Sequence, residues 1–142
     1  MSTQTKPMSG HCLCGAIRFH ATPKNLEMGA CHCAMCRRWS GGVFMAVDCS
    51  GALKIEDESA LGVYKSSQWG ERCFCKTCGS SLFWRMQDGS HISVAVQAFD
   101  DAARFAFTSE IFIDEKPATY AFANSTKTMT GAEVFAAFAP NP

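Results

Sequence analysis

Nine cysteines lie in this chain of 142 residues. Seven of them fall into three clusters: Cys12 and Cys14 in HCLCG, Cys31, Cys33 and Cys36 in CHCAMC, and Cys75 and Cys78 in FCKTCGS. Thiols at such short intervals suit zinc, because a brief stretch of backbone aims several sulfurs at one ion. Cys75 to Gly79 reads as a metal knuckle, with the glycine allowing the tight turn. Cys12 and Cys14 would share one face of an extended backbone and supply half a tetrahedron. Together the two pairs make a closed four-thiolate site of the structural kind, whose metal binding energy is also folding energy. Cys31, Cys33 and Cys36 then keep an open fourth position, the arrangement of a catalytic zinc that receives water or substrate.

Other assignments compete with this one. His32, Cys49 or Cys73 would close the trio into a second structural site. His32 is the least suited, because between two ligands on an extended backbone its ring points away from the ion they share. Cys73 lies two residues before Cys75 and competes for its place. An iron–sulfur cluster wants four ligands at suitable spacing, which the trio does not offer. A secreted disulfide scaffold fits poorly with an odd cysteine count and with the polar start MSTQTKPMSG, which lacks an apolar signal region.

The elements that must position these thiols are mostly short strands. AIRFHA (16–21) and ALKIE (52–56) alternate apolar and polar side chains, and ISVAVQAF (92–99) suits an interior strand. GVFMAV (42–47) and SLFWRM (81–86) read as buried strands. Helical patterning is confined to a turn or two at DDAARF (100–105) and a short terminal helix at GAEVFAAFA (131–139). The expectation is a mainly β, single zinc-binding domain over residues 10–142, after a disordered lead-in at 1–9. A formal net charge of +0 disfavours a nucleic-acid binder, and no apolar run of about 18 residues suggests a membrane span. Clustered free thiols point to the cytoplasm.

In their order and spacing, GHCLCGAIRF, CHCAMCRRWSG and FCKTCGSSLF resemble the three motifs of the glutathione-dependent formaldehyde-activating enzyme family, which shares its domain with centromere protein V. The resemblance runs from residue 10 to about 114 and takes in Gly15, Arg37, Gly41 and Gly79. It implies a β-tent fold of small antiparallel sheets around zinc. It implies a structural zinc on Cys12, Cys14, Cys75 and Cys78, and a catalytic zinc on Cys31, Cys33 and Cys36. It implies a carbon–sulfur lyase reaction that adds glutathione, or a similar small thiol, to formaldehyde to give an S-hydroxymethyl thiol. Three thiolates leave a Zn²⁺ site at net minus one, which favours delivery of a bound thiolate over activation of water. The alternative, from another class, is a binding module in which both metal sites are structural.

Arg37 and Arg38 follow the trio and are candidates to offset its charge or to receive a substrate carboxylate; solvated surface charges explain them as well. Trp39 is a candidate wall for the open coordination position. The other tryptophans and the phenylalanines read as core, and His11, His20 and His91 as strand-end or surface residues. The chain is shorter than the family's founding enzyme. Where many relatives carry a histidine in an H-I-F-like segment, it reads Glu110, Ile111, Phe112.

Overall fold

Alternation of side chains along short segments builds most of this protein. The computed structural model describes residues 5–138. It is mainly β, with eleven strands and two α-helices among those residues. In chain order these are β1 (Met8–His11), β2 (Arg18–Ala21), β3 (Glu27–Cys31), α1 (Ala34–Ser40), β4 (Phe44–Asp48) and β5 (Leu53–Ile55). Then come β6 (Leu61–Tyr64), β7 (Gly70–Cys75), β8 (Ser81–Met86), β9 (Ile92–Ala95), β10 (Ala106–Ile111), β11 (Lys127–Met129) and α2 (Gly131–Phe138).

The chain divides into two compact units, one made of the described residues up to Leu26 with Ala46–Phe105, the other of Glu27–Met45 with the described residues from Ala106 onward. In the first unit, β1, β2 and β5 form an antiparallel sheet. The antiparallel pairings β4 with β9, β9 with β8, β8 with β7 and β7 with β6 make up the rest. The alternation in RFHA is real: Phe19 and Ala21 are fully buried while Arg18 and His20 are exposed. Phe19 meets Phe83 edge-on at 5.2 Å and Phe99 at 5.5 Å, a geometry aromatic quadrupoles favour.

Two expectations shift here, and one strand is new. Met8 and Ser9, assigned to the lead-in, open β1, and Ser9 donates to Asp100 Oδ2 at 2.7 Å; residues 1–4 lie outside the described residues. The strand read over 92–99 stops at Ala95, and Val96–Ala98 turn into a 3-10 helix. β7, unread in the sequence, carries charge inside: Glu71 and Arg72 are buried, and Glu71 Oε2 accepts from Arg85 Nε at 2.7 Å on the neighbouring strand. That pairing satisfies a buried carboxylate in a strand whose composition looks like a loop.

In the second unit β10 lies between β3 and β11 and pairs parallel with both. Phe107 meets Phe122 edge-on at 4.9 Å. The terminal helix α2 begins with a reciprocal cap, in which Glu133 N donates to Thr130 Oγ1 and Thr130 N donates to Glu133 Oε1. Helix α1 follows the trio and ends at Gly41, whose φ of 74° is the left-handed stop that glycine tolerates.

Candidate metal centres

The first cluster is assembled from two turns of the first unit. Cys12 and Cys14 sit in the turn after β1, not on an extended strand, and Cys75 ends β7 so that Cys78 falls in the turn before β8. Each turn is closed by glycine: Gly15 N donates to Cys12 O at 3.1 Å, and Gly79 N donates to Cys75 O at 2.8 Å with φ of 82°. The four sulfurs lie within 4.8 Å of one another. Cys12 and Cys14 are 3.6 Å apart and Cys14 and Cys75 3.8 Å. A tetrahedron with Zn–S bonds of about 2.3 Å has S–S edges of about 3.8 Å, so the residues fit zinc. Backbone amides also aim at the sulfurs: Ile17 N at Cys12 Sγ (3.3 Å), Ala16 N at Cys14 Sγ (3.5 Å) and Cys78 N at Cys75 Sγ (3.5 Å). Such donors favour thiolates. Hydrogen bonds from Ser80 draw the Cys78 thiol down to about 5. The amide of Ala16 favours the Cys14 thiolate too, yet burial and the neighbouring sulfurs push its pKa up to about 11. Packed sulfurs cannot all ionise without a cation among them, which is the electrostatic counterpart of the fit.

The second cluster belongs to the second unit. Cys31 ends β3, Cys33 is the N-cap of α1 in extended conformation, and Cys36 lies in the first turn of α1, its amide donating to Cys33 Sγ at 3.3 Å. The three sulfurs lie within 4.8 Å of one another, and among the described residues no fourth histidine, cysteine or carboxylate ligand atom joins them. The thiols of Cys33 and Cys36 and the burial of the site raise the pKa of Cys31. This donor set also fits a divalent soft cation.

His32 is fully buried, and its ring nitrogens do not join the three sulfurs as a ligand group. Its Nε2 lies 2.7 Å from Glu110 Oε1 and its Nδ1 2.8 Å from the Tyr120 hydroxyl. Glu115 Oε1 accepts from Ala34 N at 3.0 Å and so caps the start of α1 with a carboxylate. Arg37 is half-buried and its Nε donates to His32 O at 3.0 Å, which ties one guanidinium nitrogen to the cysteine loop. Arg38 is exposed, and the Trp39 ring packs on Phe44 with centroids 5.0 Å apart.

With both clusters in view, comparison with known proteins is decisive. The sequence profile of the glutathione-dependent formaldehyde-activating enzyme family matches residues 7–115. The chain belongs to that family. Proteins similar to it include an uncharacterized lyase of Schizosaccharomyces pombe, 35% identical over 126 residues, which span 88% of this chain and 92% of the yeast protein. A Halomonas elongata protein named "Putative glutathione-dependent formaldehyde-activating enzyme" is 32% identical over 85 residues, 54% of each chain. A Rhodobacter sphaeroides protein of known crystal structure shares the fold, with a TM-score of 0.59 over 71% of this chain and all of that one, at 22% identity. Among the described residues no helix is long and apolar enough to cross a membrane.

The two remaining thiols lie outside both clusters. Cys49 and Cys73 are fully buried in the first unit, and burial pushes their thiols up to about 12 and about 11. A redox role built on these two would need depressed values, which the fold does not provide. Of the trio's neighbours, Glu110 stands out in the sequence only as the residue in place of the histidine many relatives carry, and Glu115 and Tyr120 give no sequence signal.

Proposed function

We propose that the protein is a zinc-dependent enzyme of the carbon–sulfur lyase type that joins a small thiol, glutathione or one like it, to an aldehyde such as formaldehyde. In the reaction the thiol sulfur supplies the electron pair of the new C–S bond, the carbonyl π pair moves to oxygen, and the thiol proton ends on that oxygen. The product is an S-hydroxymethyl thiol. The observation that carries the reading is the convergence of the Cys31, Cys33 and Cys36 sulfurs with no fourth side-chain ligand among the described residues. Family membership and the relatives' names support an enzyme of this type.

Cys31, Cys33 and Cys36 would hold the zinc, which when bound lowers the pKa of an incoming thiol and fixes it for attack. Cys12, Cys14, Cys75 and Cys78 would hold a second zinc that stabilises the first unit. Arg37, anchored through Nε on His32 O, has its remaining guanidinium nitrogens for a substrate carboxylate. Arg38, exposed next to it, adds positive charge, and Trp39 offers an apolar flank. A cytoplasmic setting, which keeps thiols reduced, suits both clusters.

The test is the visible spectrum of the anaerobic cobalt-substituted protein titrated with glutathione, followed by formaldehyde. Growth of the thiolate-to-cobalt band and a shift of the ligand-field bands, with faster approach to the S-hydroxymethylglutathione equilibrium by NMR, supports the reading. Two cobalt ions already fully ligated and indifferent to glutathione would overturn it in favour of a binding module.

A further inference from the structure

Between the two proposed ligands Cys31 and Cys33, the chain places a residue that is wholly inside the protein and fully engaged. His32 uses four separate atoms. Its main-chain N donates to Ile111 O at 3.1 Å, and its main-chain O accepts from Arg37 Nε at 3.0 Å. Its ring nitrogens meet Glu110 and Tyr120 at 2.7 and 2.8 Å. Glu110 is buried too, and its second oxygen accepts from the Thr126 hydroxyl at 2.5 Å. A carboxylate only accepts hydrogen bonds, so Nε2 of His32 carries the proton toward Glu110, and Nδ1 is left to pair with the Tyr120 hydroxyl.

Backbone geometry turns that anchoring into control of the sulfurs. Along an extended segment, successive side chains point to opposite faces, so the direction of residue 32 and the common direction of residues 31 and 33 are set by the same backbone torsions. With the ring held at both nitrogens, a backbone rotation that turned the two flanking thiols out of register with Cys36 would have to break those hydrogen bonds. We propose that Glu110 is a positioning residue for the three-cysteine site, acting through His32 to hold the Cys31 and Cys33 sulfurs in convergence with that of Cys36. The inference rests on the reading of that cluster as a metal centre. It adds a role that the cysteine motifs alone do not contain, because Glu110 comes from β10, far along the chain.

The experiment compares the full chain with Glu110→Ala, Glu110→Gln and Tyr120→Phe, measuring cobalt bound per chain, the ligand-field spectrum, and zinc affinity at each cluster by chelator competition. The parent chain is expected to take two ions. Loss of a supporting partner beyond the ligands themselves commonly weakens a site by about 10- to 100-fold. Glu110→Ala is therefore expected to weaken the Cys31, Cys33 and Cys36 site by about that factor. It should leave the four-cysteine site unchanged. Glu110→Gln, whose amide oxygen can still accept from His32 Nε2, should restore most of the affinity. Parent-like affinity and bands in Glu110→Ala would overturn the inference, and so would an equal loss at both clusters, which marks a general structural role. Should Glu110→Ala fail to fold, Tyr120→Phe decides: altered bands at the three-cysteine site alone support the inference, and unchanged bands overturn it. A parent chain that binds only one ion, at the four-cysteine site, would instead overturn the metal reading itself, and the inference with it.

Discussion

The Nε2 atom of His32 and the Oε1 atom of Glu110 lie 2.7 Å apart, binding the centre of the CHC loop to a strand 78 positions further along the chain. Both residues are buried, so water does not substitute for either partner. Acid should reveal this pairing. Burial pushes the Glu110 carboxyl up, but hydrogen bonds from Thr126 and His32, with the charges of His32 and Lys116, outweigh it and hold the group below its ordinary 4.5. A carboxyl depressed in the folded state contributes stability that is present above its unfolded value and is lost as pH falls through the folded one. Urea midpoints measured from pH 6 down to pH 3 should fall more steeply in the parent than in Glu110→Gln below about pH 4.5. Parallel profiles would show that Glu110 contributes no acid sensitivity.

The two cysteine clusters should respond differently to loss of one ligand. A four-thiolate zinc site contributes about 10–16 kcal/mol, comparable with the whole stability of a small domain at about 5–15 kcal/mol. Cys75→Ala should accordingly abolish cooperative thermal unfolding, whereas Cys31→Ala should keep the far-UV circular dichroism of the parent and lose thiol addition to formaldehyde. Unfolding in both variants would remove the division between a structural and a catalytic centre.

Zinc uptake at the four-cysteine site should expel protons. At pH 7 the Cys78 thiol, drawn down to about 5, is already ionised, while Cys14, pushed up to about 11, still holds its proton. Titration of the metal-free chain by calorimetry in buffers of different ionisation enthalpy should therefore show net proton release, growing as pH is lowered. Release that does not change with pH would mean that these thiols are not the ligands.

Cys49 and Cys73, buried and held up to about 12 and about 11, should react with a thiol reagent only on unfolding. Replacing Cys49 with serine puts a more demanding polar group in the same interior and should cost about 1–3 kcal/mol. Rapid labelling of either cysteine in the zinc-loaded native chain, read by mass spectrometry, would contradict the burial described.

Gly131 opens α2 beneath the Phe112 ring, and a Cβ added there would meet that ring at 2.8 Å. Phe112 has little freedom to retreat, since it adopts φ of 54°, a left-handed conformation rare for an aromatic residue, and packs edge-on against Phe135. Gly131→Ala should therefore destabilise the chain by about 1–3 kcal/mol despite alanine's better helix propensity. Thermal unfolding checks the sign.

Much of the site was legible because metal ligation is written locally. Cys75 to Gly79 names its own turn, since a two-residue spacing followed by a glycine that tolerates the left-handed conformation suits two sulfurs aimed at one ion, and alternation alone argues against His32 as a fourth ligand. The β2 segment was readable for a similar reason: RFHA has one wet and one dry face. β7 was not, because Glu71 and Arg72 look exposed until Arg85 on the neighbouring strand satisfies Glu71. Nor was the support of the trio, which draws Glu110, Glu115 and Tyr120 onto residues 32 and 34 from some 80 positions away. Spacing dictates what a few bonds of backbone can reach, and so the sequence alone determined the thiol sets. Which polar groups meet in the interior depends on strand pairing, here the parallel register of β10 with β3, and that only the tertiary structure decided.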